Sequence, residues 1–232
     1  MANFVFTHQS ATSSAIATLL KSVYMQMAAA LSVTGIVAYF LSQSPAFWQI
    51  LIENPSLIWI ALFAQLGLVI WLSARLQHMS MSAATLLFIL YSVLMGVSMS
   101  SIFMVYTMGS IASTFFITAG TFLAMSIIGY VTRLDLSRIG SILLMALIGV
   151  IIATVVNIFL HSETLYWVIS FAGVLIFVGL TAYDTQKIKT MVANHGVADE
   201  MGHKLALFGA LMLYLDFVNL FLHLLRILGN RE

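Results

Sequence analysis

Seven long apolar runs, separated by short polar breaks, take up most of the chain. They fall at about residues 23–41, 57–73, 83–106, 111–131, 139–160, 165–183 and 205–228. Each approaches the ~20 apolar residues that a helix needs to cross a bilayer. The pattern predicts an all-α integral membrane protein with seven transmembrane helices. Ahead of the first run lies a short polar tail, residues 1–22, and residues 23–232 form the transmembrane domain. The tail has neither the basic start nor the small-residue cleavage site of a signal peptide, so the first helix is expected to be retained. Between the first and second runs, SQSPAFWQILIENPS reads as a loop, with Trp48 suited to the headgroup level.

The last run, LALFGALMLYLDFVNLFLHLLRIL, differs from the others because it carries an aspartate, Asp216, near its middle. An Asp at the centre of a membrane helix costs roughly 2.5–3.5 kcal/mol. Such a residue nearly always faces protein or a watery cavity and is a functional candidate by default. Asn219, His223 and Arg226 follow at +3, +7 and +10, which puts all four on one side of a helix. A helix striped in this way wants neighbours on its polar side and reads as the inner helix of a bundle. Structural hydrogen bonds between helices would also account for the stripe.

Composition fixes the class. Hydrophobic residues make up 62% of the chain and charged residues 7%, against about 25% charged in an ordinary soluble domain. With no cysteine there is no disulfide, thiolate metal site or cysteine nucleophile. A net charge of +1 gives no case for nucleic acid. The few basic residues are informative by position. Lys21, Arg75, Arg133, Arg138, Lys187, Lys189 and Lys204 all fall before the first run or in alternate connections, and the other connections hold neither Lys nor Arg. The positive-inside rule then puts the N-terminus in the cytoplasm. Seven crossings put the C-terminus outside, where Arg226 and Arg231 sit awkwardly.

Other polar positions carry less. Gly96, Ser98, Ser100 and Ser101 in the third run allow a neighbouring backbone to approach closely. Asn157, with Thr154 and His161 on its face, and Gln65 are expected to hydrogen-bond across helices. The sixth run ends GLTAYDTQKIK. There Asp184 is either the N-cap of a short helix starting at Thr185 or the partner of Asp216. Two carboxylates in contact cannot both ionise cheaply, so the pair would titrate as a unit. Arg75 is the counter-ion candidate at the same membrane face. In HGVADEMGH, His195, Asp199 and His203 are spaced four apart, but Gly196 and Gly202 weaken a helix there and no fourth ligand is evident. Tyr183 and Tyr214 read as packing residues. With no P-loop, GxGxxG or HExxH, the chain is not expected to be an enzyme. A proton-coupled transporter is allowed by an intramembrane Asp and His, but no substrate pocket is legible.

GLTAYDTQKIK and GALMLYLDFVNLFLHLLRILGNR resemble the signature segments of the Bax inhibitor (transmembrane Bax inhibitor motif) family. YSVLMGVSMSSIFMVYT and TRLDLSRIG resemble its other blocks. The resemblance spans most of the chain and is nearest to the short bacterial inner-membrane members. It implies six helices around a central seventh. It also implies that Asp184 and Asp216 form a buried pH-sensing pair, with Arg75 exchanging partners with it, and that the protein is a pH-sensitive calcium leak across the cell inner membrane. Calcium and protons are then the small partners, and calcium is a transported ion rather than a cofactor. Paired carboxylates suit Ca²⁺, but two fall short of the six to eight oxygens it prefers, so binding at Asp184 and Asp216 is expected to be weak and transient. Some bacterial relatives restrain a membrane-bound AAA protease through an N-terminal tail. The alternative expectation is therefore an interaction protein that uses residues 1–22 as the handle.

Overall fold

The structure, a computed structural model, describes the backbone of residues 2–195 and 200–230, with side chains for residues 16–76, 78–191 and 202–230. The described residues form α1 (Ala2–Ser42), α2 (Pro45–Glu53), α3 (Ser56–Arg75), a 3-10 turn (Leu76–His78), α4 (Met81–Met99), α5 (Ile102–Val105), α6 (Met108–Val131), α7 (Ser137–Leu160), α8 (Glu163–His195) and α9 (Glu200–Leu228). Among them, seven stretches are long and apolar enough to cross a membrane: Ile16–Ser42, Ser56–Arg75, Met81–Val105, Met108–Val131, Ser137–Leu160, Glu163–Met191 and Gly202–Leu228. The seven-span reading of the sequence holds, with two spans longer than expected.

Both extensions have a packing cause. Leu19, Leu20, Val23, Met27, Ala30, Thr34 and Ala38 are buried at helical spacing, so the inward face of α1 runs through Lys21, whose side chain is exposed on the opposite side. In α8, Thr181, Thr185 and Ile188 stay buried beyond the apolar run. The helix therefore continues through Asp184, which is not the N-cap of a new helix. The connection after α1 is also helical rather than a loop. Ser44 accepts a hydrogen bond from the Phe47 amide and Pro45 takes the first turn, a helix-starting combination. None of the α2 residues is buried, and the Trp48 indole N–H donates to the Ser42 carbonyl at 3.0 Å.

The chain divides into two compact units, Met1–Val105 with Thr190–Leu211, and Tyr106–Lys189 with Met212–Glu232. In the first, α1, α3 and α4 are joined through small and polar residues. Thr34 donates to the Ser92 carbonyl at 2.9 Å. A Cβ on Gly96 would come within 2.8 Å of the Thr34 carbonyl oxygen and 2.7 Å of Val37. The Gln65 amide donates to the Leu94 carbonyl at 2.7 Å and to the Ser98 hydroxyl. Gly96 and Gln65 thus act between helices as the sequence predicts.

In the second unit α8 packs against α6 and α7 through glycines. A Cβ on Gly129 of α6 would land on the Ala182 carbonyl, and Gly140 and Gly179 leave room for Tyr183 and Leu143. Ile176, Phe177 and Leu180 of α8 and Leu220 of α9 form a buried cluster flanked by Leu143, Leu147 and Val150. Across their most apolar stretches 67% of the Gly202–Leu228 span is buried and 0% of the Ser137–Leu160 span. Asn157 does not reach across helices. Its side-chain oxygen accepts from the Ser162 amide at 3.0 Å and caps the end of α7, where His161 turns the chain at φ 50°. The α6–α7 connection is pinned by Gln186, which accepts from the Leu136 amide at 2.9 Å and donates to the Leu134 carbonyl at 2.7 Å. Lys189 donates to the Tyr130 carbonyl at 2.7 Å.

Two outcomes follow for purified protein in detergent. Gly129→Ala is expected to lower stability by about 1–3 kcal/mol, the usual cost of overpacking. Gly120→Ala, where nothing lies within 4 Å, should leave the thermal midpoint unchanged or slightly raised. In the α6–α7 connection, hydrogen bonds from the Ser137 side chain and then its amide hold the exposed Asp135 carboxyl below its ordinary 3.8. A lowered value stabilises the folded state above the unfolded-chain value, and the benefit is lost as pH falls through the folded one. Asp135→Ala should lower the midpoint at neutral pH, and its gap to wild type should close as pH drops below 3.8.

Candidate functional site

The polar stripe of α9 meets α8 at three levels. At the first, the Asp184 and Asp216 carboxyls share a side-chain hydrogen bond. Asp216 is 4% exposed, and its Oδ2 has no partner among the described residues. Two carboxyls placed this close can hydrogen-bond when one of them carries a proton. The two carboxyls can meet because α8 runs past Asp184 to His195 and α9 starts at Glu200, well before Asp216. At the second level the His223 ring stacks on Phe177 with centroids 5.8 Å apart. It fills the space left by Gly173, and its Nδ1 has no partner among the described residues. At the third, the Arg226 guanidinium lies over the Tyr166 ring, 5.9 Å from its centroid.

The other predicted residues are placed differently. Asn219 donates to the Leu215 carbonyl of its own helix at 2.8 Å and does not engage Asp216. Arg75 is exposed at the end of α3, in the first unit. Among the described residues Lys187 is a cation that acts electrostatically on both carboxyls, and its Nζ sits 5.7 Å from the Tyr183 ring centroid. Lys187 follows Asp184 at i+3, and that neighbour spacing was the signal available in the sequence. Tyr183 also packs on Gly140, and Tyr214 is fully buried, which fits their reading as packing residues.

Residues on α6 escaped the sequence reading. Ser110, Thr114, Thr118, Phe122, Ser126 and Gly129 are buried at helical spacing, so hydroxyls line the inward face of α6. Thr114 and Ser126 have buried hydroxyl oxygens without partners among the described residues. This helix reaches α9 through aromatic edges, with Phe217 at 5.5 Å from Phe115 and 5.4 Å from Phe122. The i+4 recurrence of Ser110, Thr114 and Thr118 was visible but lay inside an apolar run.

Among the described residues no group of three or more His, Asp or Glu converges on a metal position. Of the loop triad, Asp199 lies outside the described residues and the His195 side chain is not described. The aspartate pair offers four carboxyl oxygens at most, too few by itself for the coordination that Ca²⁺ prefers.

These features define a multi-pass helical membrane protein with a buried carboxyl pair joining its last two spans. The chain belongs to the Bax inhibitor family: the family described as "Inhibitor of apoptosis-promoting Bax1" matches residues 16–232. Inner membrane protein YbhL of Escherichia coli (strain K12) is 50% identical over 216 residues, covering 93% of this chain and 92% of that relative. A Borreliella burgdorferi protein is 47% identical over 213 residues, 92% of each chain. A Rickettsia prowazekii protein is 44% identical over 210 residues, 90% of this chain and 88% of its own.

Removing one member of the pair leaves a buried carboxyl without its partner. Asp216→Ala is expected to cost about 1–3 kcal/mol, and Asp216→Asn, which still donates to Asp184, less. The Asp184→Ala/Asp216→Ala double variant should cost less than the sum of the single changes. Thermal unfolding of the four variants checks this, and strictly additive losses would contradict a shared hydrogen bond.

Proposed function

We propose that the protein is a pH-sensitive calcium leak channel of the cell inner membrane, gated by the Asp184–Asp216 pair. The observation that carries this reading is the carboxyl–carboxyl hydrogen bond between two membrane-spanning helices. While the pair keeps a shared proton, the bond holds α8 to α9. Losing that proton puts two negative charges in contact, and their repulsion favours separation of the helices. The same oxygens then become hard ligands for a passing cation, with too few donors to trap it. Protonation thus controls both the contact and the ion's foothold. Calcium is cargo, and the activity involves no covalent step. Arg75 as an exchange partner of the pair is supported by the family resemblance alone.

Location and orientation rest on separate support. The relative YbhL is described as an inner membrane protein, and Lys and Arg cluster in alternate connections of this chain. Together they support an inner-membrane protein with its N-terminus in the cytoplasm and its C-terminus outside.

The test is calcium flux into liposomes carrying the full chain, from roughly pH 5 to pH 8, since a coupled pair titrates as a unit. The wild type should show a flux that varies with pH, and Asp184→Asn and Asp216→Asn should each flatten the profile. Folded protein with no flux above empty liposomes would sink the channel reading. It would turn attention to the N-terminal residues 1–22 as a handle for a membrane protease.

A further inference from the structure

A cavity of about 460 Å³ opens where α7 ends, α8 begins and α9 ends, lined by Asn157, His161, Glu163, Tyr166, Trp167 and Arg226. Sites for small ligands run from about 300 to 1,000 Å³. All of its walls belong to the second unit, on the side of that unit away from Asp184, Lys187 and Lys189. The walls are held. Asn157 caps the Ser162 amide at 3.0 Å. Beyond α9, the Asn230 amide donates to the Ser110 hydroxyl at 3.0 Å, and its carbonyl accepts from the Thr107 amide at 3.2 Å.

Two opposite charges line this cavity without pairing. Arg226 is half-buried with its guanidinium over the Tyr166 ring. Among the described residues no carboxylate or carbonyl accepts from its five N–H donors. Glu163 is exposed in the first turn of α8, and no cation pairs with it among the described residues. Helix ends account for each charge separately, an acid at a start and a base at a finish. They do not account for a cavity between them. The cavity also lies at the ends of membrane spans, where Tyr and Trp belong at headgroup level. Below it Trp167, Phe171 and Leu175, spaced i, i+4, i+8, are 39%, 54% and 72% exposed, with Trp167 and Phe171 stacked at 6.0 Å.

We infer that this cavity binds the headgroup of a zwitterionic phospholipid. Arg226 takes the phosphodiester through charge-assisted hydrogen bonds. Glu163 takes the primary ammonium. The acyl chains lie on the Trp167–Phe171–Leu175 stripe. A soluble phosphodiester would satisfy the two charges but leave that stripe unused, which is why the lipid is favoured as the source. The inference does not depend on the leak reading, because neither aspartate lines the cavity.

The experiment exposes the detergent-purified full chain to vesicles of equal parts phosphatidylethanolamine, phosphatidylglycerol and phosphatidylcholine. Native mass spectrometry then reads the lipid retained. The wild type should retain phosphatidylethanolamine in preference to the other two. Arg226→Gln should weaken retention about tenfold or more, in line with the loss of a hydrogen bond to a charged group, and Arg226→Lys should restore part of it. Glu163→Gln should erase the preference for ethanolamine over choline while leaving phosphate-dependent retention. Equal retention of all three lipids by the wild type overturns the proposal, as does unchanged selectivity in Glu163→Gln, an exposed change that spares folding. Retention of soluble glycerophosphoethanolamine as tight as that of phosphatidylethanolamine would show that the apolar stripe adds nothing, assign the site to a free headgroup and overturn the lipid. If Arg226→Gln does not fold, the Glu163→Gln result decides.

Discussion

The second unit depends on how two carboxyls, one buried at Asp216 and one half-buried at Asp184, are accommodated between apolar helices. In a membrane interior each unsatisfied polar group costs several kcal/mol. Asp184 and Asp216 meet this by solvating one another. The α8 helix continues past its apolar run and so holds Asp184 opposite α9. Among the described spans the one that carries Asp216 has the largest buried share. The glycines that let α6 and α7 close onto α8 keep this shell tight.

Most other polar side chains in the spans are satisfied without involving a second helix. Ser32, Thr85, Thr118, Thr154, Ser170, Thr181 and Thr185 each donate to the carbonyl four residues earlier. This local back-bonding is the cheap way to carry a hydroxyl through hydrocarbon. Against that background the exceptions stand out. Thr34 and Gln65 spend their donors on a neighbouring helix. Asp216 and His223 keep a buried atom without a partner among the described residues. A buried polar atom left over in a well-packed helix pair requires a reason. On α9 both such atoms lie on the one stripe that faces α8.

Much of this was legible beforehand, and the rest had definite reasons to be hidden. The seven spans follow from run length alone. The Asp216 stripe follows from residue spacing, and Gly96 and Gln65 from their chemistry in an apolar run. Asn157 was misread because periodicity cannot tell a helix end from a helix middle, and its oxygen turned to the local Ser162 amide. The sequence left Asp184 open between a cap and a partner of Asp216 because hydropathy falls there, whereas burial of Thr185 and Ile188 carries the helix onward. The contact between His223 and Gly173 was beyond reach. A glycine in a run of Val, Ile and Phe says that something comes close without saying what does.

That contact also limits how the pair can act. Seven residues separate Asp216 from His223, or about 10 Å along α9. At His223 the two helices have no spare room, since even a methyl group at Gly173 would strike the imidazole. Further along, Arg226 on Tyr166 and the Asn230 bonds to α6 hold the far end of α9. If the carboxyls part, sliding of the whole interface is opposed at these two points. Under the proposed gating the motion would be a splay of the Asp216 end about the His223–Gly173 contact. Such a motion would leave the cavity at Arg226 nearly undisturbed while opening the helices at the carboxyls. The carboxyl end at Asp216 and the packed end at His223 and Arg226 lie on a single stripe of α9, so a change at the carboxyls would act at one end of it.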